Sequence, residues 1–260
     1  MILKGLAGMY LLYAVVMIWA HPQFIYPFAD APFSNPQFES VQLAETHAHL
    51  QVHDGADDAP AVLYFMGNGG ALAYFQPNLA VHADADRSLV ALEYPGGGGI
   101  PGTPSEVLLK AQALEVYDYL AEHHDGSIVV HGYSLGTGLA LYVASEREVD
   151  AVILDAPYAR MCNLMTAASW LPACYLPSVQ RWNSLEFVYR IDAPVLILHG
   201  TADTLIPLKE GTRLAQAMER AQVAVTFAEI PGATHHNLAM QSMYSVRINE
   251  FLEGLTTNAQ

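Results

Sequence analysis

A mostly parallel α/β sheet with helices on both faces is the fold class this sequence predicts, and three observations carry it. Short apolar runs bounded by turn residues recur at positions 61–66, 88–94, 127–131, 151–155, 194–199 and 223–230. Helical patterns lie between several of them, most clearly at 105–123, where Val107, Leu108, Ala111, Leu114, Val116 and Leu120 recur at helix-like spacing. Runs such as Ile128-Val129-Val130 and Val195-Leu196-Ile197-Leu198 are continuous rather than alternating, as in strands covered on both faces. Repeated units of this kind imply right-handed crossovers. They also place functional residues just beyond the carboxyl ends of the strands.

Composition narrows the class further. The chain has 260 residues, 52% hydrophobic and 14% charged, which suits a sizeable core and argues against intrinsic disorder. Eleven basic residues against 26 acidic ones give a formal charge of −15, so no nucleic-acid partner is expected. Two cysteines, Cys162 and Cys174, exclude a disulfide scaffold and a multi-cysteine zinc module.

The N-terminus differs in kind from the rest. Lys4 precedes an apolar run over residues 5–20, about 24 Å of helix at roughly 1.5 Å per residue. Tyr10, Tyr13 and Trp19 suit a membrane interface, and Lys4 can snorkel. A cleaved signal peptide wants small residues before the cut, but Ile18 occupies the usual small position and Pro22 follows. A soluble core helix would show a polar face, and this run has none. An uncleaved anchor over residues 1–20 is therefore expected, with Lys4 cytoplasmic and the remaining chain extracytoplasmic. Residues 21–40 read as a linker whose four prolines and interleaved aromatics pack on something, ahead of a domain over residues 41–260.

Three strand ends carry the chemistry. Gly132-Tyr133-Ser134-Leu135-Gly136 stands directly between a buried strand and a helix-like stretch at 137–145. Glycines flank the serine where a sharp strand-to-helix turn leaves no room for side chains. A serine hydroxyl needs a base, and the base needs an orienting acid, in the chain order Ser, Asp or Glu, His. Asp203 follows the strand at 194–199, and His235 and His236 follow the one at 223–230. Either histidine meets the requirement. Asp155 also ends a strand and is an alternative acid. An oxyanion needs two backbone donors, and the amides of Leu135 and of Asn68, in the loop 66–70, are the candidates.

These motifs resemble the α/β-hydrolases, in particular membrane-tethered serine hydrolases and serine aminopeptidase-like proteins. Those carry H-G-N-x-G, a Y-R-G-Y-G-x-S-like loop, G-x-S-L-G, H-G-x-x-D and a late G-x-x-H. The counterparts here are residues 66–70, 94–98, 132–136, 199–203 and 232–235, and the resemblance covers roughly residues 60–255. Met66 replaces the usual histidine and Pro95-Gly96-Gly97 the arginine-containing turn, which bears on substrate preference. Ungapped alignment matches His235 to the family base. The resemblance implies an α/β-hydrolase fold and hydrolysis of esters or thioesters through an acyl-enzyme. Ser134, His235 and Asp203 would act as nucleophile, base and orienting acid, with no metal and no organic cofactor, on a small-molecule or lipid-like acyl substrate. An aminopeptidase-type peptidase and a non-catalytic membrane-tethered binding protein are the alternatives.

Residues 158–187, rich in Met, Trp, Tyr and Leu, interrupt the alternation and read as a small cap lining an apolar acyl pocket. Cys162 and Cys174 lie within it and can pair if the domain is extracytoplasmic. His47, His49 and His53 have ligand-like spacing, but no carboxylate or cysteine joins them, so solvated histidines on a strand are expected. Gly96 to Gly99 lack the following Gly-Lys-Ser/Thr of a phosphate loop. Every candidate site residue follows Pro60, so a chain beginning near Gln37 is expected to be soluble and to keep hydrolysing small esters.

Overall fold

The computed structural model describes residues 2–258 and has an eight-stranded sheet at its centre. The strands are β1 (Glu39–Gln42), β2 (His49–His53), β3 (Ala61–Phe65), β4 (Leu89–Glu93), β5 (Ile128–Tyr133), β6 (Ala151–Asp155), β7 (Val195–Gly200) and β8 (Val225–Ile230). Their spatial order is β1-β2-β4-β3-β5-β6-β7-β8, parallel from β4 to β8. A strand at His49–His53 was expected, but β1 and the antiparallel pairing of the two at one edge were not part of the expected pattern. Both strands are short and partly polar, so no long apolar run announces them.

Every residue of β3, β4, β5, β6 and β7 is buried, which is why those strands read as unbroken apolar runs. The helices α2 (Gln76–Ala83), α3 (Glu106–His123), α4 (Leu135–Glu146), α6 (Leu208–Arg220) and α7 (Ser242–Asn258) pack on the sheet. The Ser105 hydroxyl caps α3 by accepting from the Leu108 amide. From β3 the chain crosses to β4 on one side, whereas β5 lies on the other, so the strand order reverses between β3 and β5. A crevice opens beyond the carboxyl ends at such a point. Phe65 pairs in register with Gly132, which brings the loop after β3 beside the turn after β5.

The N-terminal helix α1 runs from Ile2 to Ile25, through Pro22 and five residues beyond the expected anchor. Residues 4–25 are long and apolar enough to cross a membrane by length and composition. The following segment does pack on the domain. Ile25 and Tyr26 are buried, Trp182 Nε1 donates to the Tyr26 hydroxyl at 3.0 Å, and Phe28 stacks near Tyr94. Gly97 and Gly70 meet beneath Phe28 so closely that a Cβ on Gly97 would sit 2.0 Å from the Gly70 carbonyl oxygen. Four glycines at 96–99 thus serve loop packing.

Residues 158–187, where a cap was expected, hold helix α5 (Met161–Ser169) and short 3-10 turns, and Cys162 and Cys174 are joined by a disulfide. Of the three histidines expected on a strand, His47 lies outside β2, in a left-handed turn at φ 55°. His53 takes part in packing, against Phe38 and the Gln37 carbonyl. Among the described residues no group of three His, Cys, Asp or Glu side chains is arranged to hold a metal.

Candidate active site

The turn from β5 into α4 holds Ser134 at φ 51° and ψ −113°, a conformation that side-chain-bearing residues rarely adopt. The backbone around it is crowded. A Cβ on Gly136 would lie 2.1 Å from the Phe65 carbonyl oxygen, and one on Gly132 2.4 Å from the Gly136 carbonyl oxygen. The Ser134 amide donates to the Asp155 carbonyl at 2.8 Å, which ties the turn to the end of β6. Leu135 opens α4, so its amide has no intrahelical acceptor, and the helix dipole favours negative charge there.

His235 lies between Ser134 and Asp203. Its Nδ1 is 2.7 Å from Asp203 Oδ2 and its Nε2 is 3.0 Å from Ser134 Oγ. A carboxylate only accepts, so Nδ1 carries the hydrogen and Nε2 is free to accept from the serine hydroxyl. All three residues are buried. The second carboxylate oxygen of Asp203 accepts from the amides of Leu205 and Ile206 at 2.9 and 2.8 Å. Burial works to raise the Asp203 carboxyl, but His235, the Ile206 amide and His199 outweigh it and hold it below its ordinary range.

The alternatives separate clearly. His236 is exposed, with its ring packed edge-on against that of His235. Asp155 points elsewhere: it receives His131 at 2.9 Å, Asn78 at 3.3 Å and the Tyr244 hydroxyl. Asn68 borders the same cavity as Ser134. Met66, in place of the family histidine, is buried, and its carbonyl is held by the Tyr94 hydroxyl at 2.7 Å.

Several supporting groups escaped the sequence reading. The Tyr133 hydroxyl donates to the His235 carbonyl, pinning the loop that carries the imidazole. Buried His199 donates to the Ile206 carbonyl at 2.9 Å and so shapes the Asp203 loop. Burial, against smaller opposing effects of Ile206 and Asp203, holds the His199 imidazole below its ordinary value, hence neutral. His199 stood in the H-G-x-x-D motif, which is where its role was legible.

Two cavities meet at this centre. One, of about 360 Å³, is apolar and touches Ser134, Asn68, the cap and the last turns of α1. The other, of about 350 Å³, touches His235, His236, Asn68 and Tyr133. The helix α1 was expected to be a tether, and in addition Met17, Ile18, His21 and Phe24 line the first cavity.

A parallel sheet with a strained serine turn, then an aspartate and a buried histidine at later strand ends, defines an α/β hydrolase. Residues 101–248, more than half of the chain, match the dienelactone hydrolase family, and the chain belongs to it. An uncharacterized protein of Mycobacterium tuberculosis is 30% identical over 190 residues, covering 71% of this chain and 66% of its own length. Protein bem46 of Schizosaccharomyces pombe is 25% identical over 234 residues, covering 84% of this chain and 77% of its own length. The chain thus spans just under two thirds of the first of these relatives. The Pyrococcus furiosus esterase Pf2001 has a similar fold, with a TM-score of 0.68 at 17% identity over 86% of this chain and 97% of its own. A Thermogutta terrifontis esterase solved with propionate has a TM-score of 0.64 at 22% identity over 85% of this chain and 95% of its own.

Proposed function

We propose that this protein is a serine esterase that cleaves carboxylic ester or thioester bonds through an acyl-enzyme. The observation that carries this reading is the continuous hydrogen-bonded line from Asp203 through His235 to Ser134. Ser134 Oγ attacks the acyl carbonyl while His235 Nε2 takes its proton. Asp203 keeps the Nδ1 hydrogen in place and balances the charge on the imidazolium. The Leu135 and Asn68 amides receive the oxyanion. His235 then protonates the departing alcohol or thiol, and water repeats the cycle to release the acid. The strained Ser134 backbone holds the hydroxyl where attack needs it, at the amino end of α4.

The protein is read as membrane-anchored through α1 with its hydrolase domain outside the cytoplasm. The apolar span at residues 4–25 and the Cys162–Cys174 disulfide support that placement. Labelling by a fluorophosphonate probe tests the nucleophile, and turnover of p-nitrophenyl esters against aminoacyl anilides tests the bond cleaved. Ester turnover with probe labelling is expected. Anilide turnover alone would transfer the reading to a peptidase, and neither would make the chain a binding protein. Recovery in a membrane pellet with residues 1–20 intact is expected of the anchor, and recovery as a soluble chain starting after Ala20 refutes it.

A further inference from the structure

The end of α1 is fastened to the cap along its length. The Tyr10 and Tyr13 hydroxyls donate to the carbonyls of Trp170 and Ser169 at 3.2 and 2.8 Å, where α5 ends. Further along, the Gln180 amide donates to His21 Nε2 at 3.1 Å, and His21 Nδ1 faces the Ile18 carbonyl. Ile18 packs on the small cap core of Cys162, Ala173 and Val179. About three turns of α1, from Tyr10 to His21, are therefore held against the cap, and the space left between α1 and α5 is the apolar cavity that reaches Ser134.

The opposite side of α1 is also apolar. Leu11, Leu12, Val15 and Trp19 are exposed there. Trp170, whose carbonyl meets Tyr10, and Tyr175 of the cap are each 85% exposed and add apolar surface to that of the helix. A helix with an apolar outer face and an apolar cavity on its inner face separates bilayer from active site by one layer of side chains.

Direction through the site is set by proton chemistry. His235 gives its proton to the leaving group, so that group belongs to the cavity His235 borders. The acyl half then extends the other way, past Ser134, into the apolar cavity. A volume of about 360 Å³ lies in the range of pockets that enclose drug-sized ligands and is far larger than an acetyl group requires.

Resting on the esterase reading, we propose that the acyl chain of a membrane lipid is held between α1 and α5. The N-terminal helix is then a wall of the active site, and Met17 and Phe24 select medium and long straight chains over acetyl. The anchor and the specificity pocket are the same helix.

The test uses the full-length protein in detergent micelles, with p-nitrophenyl acetate, octanoate and dodecanoate. Wild type is expected to prefer the longer esters. Met17→Trp fills the cavity from the α1 side and is expected to lower the dodecanoate-to-acetate ratio of kcat/KM at least about tenfold, the worth of a lost methylene contact or two. A ratio is insensitive to the fraction of protein folded. A ratio unchanged within about twofold overturns the proposal, because α1 would then be scaffold only. A turnover-independent readout uses dodecanoic acid bearing a terminal diazirine on Ser134→Ala protein. Adducts on both α1 and α5 peptides, lost from α5 when Met17→Trp is added, support the proposal. α5 adducts that persist overturn it. Should no ester be hydrolysed by any form while these adducts appear, the esterase reading fails and the acyl site stands.

Discussion

His131 Nε2 donates to the carboxylate of Asp155 at 2.9 Å, and both side chains are fully buried. His82 Nε2 lies 2.8 Å from His131 Nδ1, so the hydrogens run His82 to His131 to Asp155. Asn78 and the Tyr244 hydroxyl complete the surroundings of the same carboxylate oxygen. Asp155 is thereby committed to the core beneath the serine turn, and Asp203 alone of the two strand-end aspartates meets His235.

The two aspartates are expected to fail differently. Asp203→Asn should lower kcat by roughly four orders of magnitude while the protein stays folded, because an amide no longer fixes the working tautomer of His235. Asp155→Asn should leave kcat of the folded fraction within about tenfold but lower stability by about 2 kcal/mol or more, by mismatching His131 and Tyr244 in a dry core. Urea denaturation and steady-state kinetics on both variants check this, and the opposite ranking would make Asp155 the working acid.

Ser134→Ala is expected to abolish fluorophosphonate labelling and to reduce ester hydrolysis by about four to six orders of magnitude. Removing Oγ also relieves nothing in the backbone, since the turn is held by its own crowding, so the thermal midpoint should barely move. Wild-type turnover in the purified variant excludes Ser134 as nucleophile.

His235→Ala should cost several orders of magnitude in kcat/KM, whereas exposed His236→Ala should cost less than about tenfold. Side-by-side kinetics decide it. A reversed order would place the base one residue later.

Stability should depend on pH with a defined sign. Burial, reinforced by His131 and Arg87, holds His82 well below the ordinary histidine value, and burial also lowers His199. Both are neutral in the fold, while in the unfolded chain they bind protons below about pH 6.5. The unfolded state then holds more protons, so stability rises with pH up to about 6.5 and is complete above it. Asp203 acts in a lower window: its contribution is present above about pH 3.9 and is lost as pH falls through its depressed folded value. The thermal midpoint should be flat near neutrality and fall as pH drops below about 6.5. A midpoint that climbs on acidification from neutrality to pH 5 would contradict buried neutral histidines.

Truncation should not be benign. A chain beginning at Gln37 lacks Ile25 and Tyr26, both buried, and uncovers Trp182 and Tyr94. Losing those two side chains alone costs on the order of 3–6 kcal/mol at about 1.5–3 kcal/mol each. Its thermal midpoint should therefore fall well below that of the full chain. Equal midpoints would show that the packing of residues 25–28 on the domain contributes nothing to its stability.

The sequence by itself determined the sheet class, the strand ends that matter and the candidates on them, Ser134, then Asp203 or Asp155, then His235 or His236. Those features are local: continuous apolar runs mark strands buried on both faces, and turn residues follow them. The tertiary structure decided everything that depends on which strand ends meet. Ser134 and His235 are 101 residues apart, and Asp203 and His235 are 32 apart, so choosing Asp203 over Asp155 and His235 over His236 required the folded register. The role of α1 was invisible for a different reason. A helix apolar on every side has no periodic stripe to announce which face it buries, so only packing shows Met17, Ile18, His21 and Phe24 turned toward the serine.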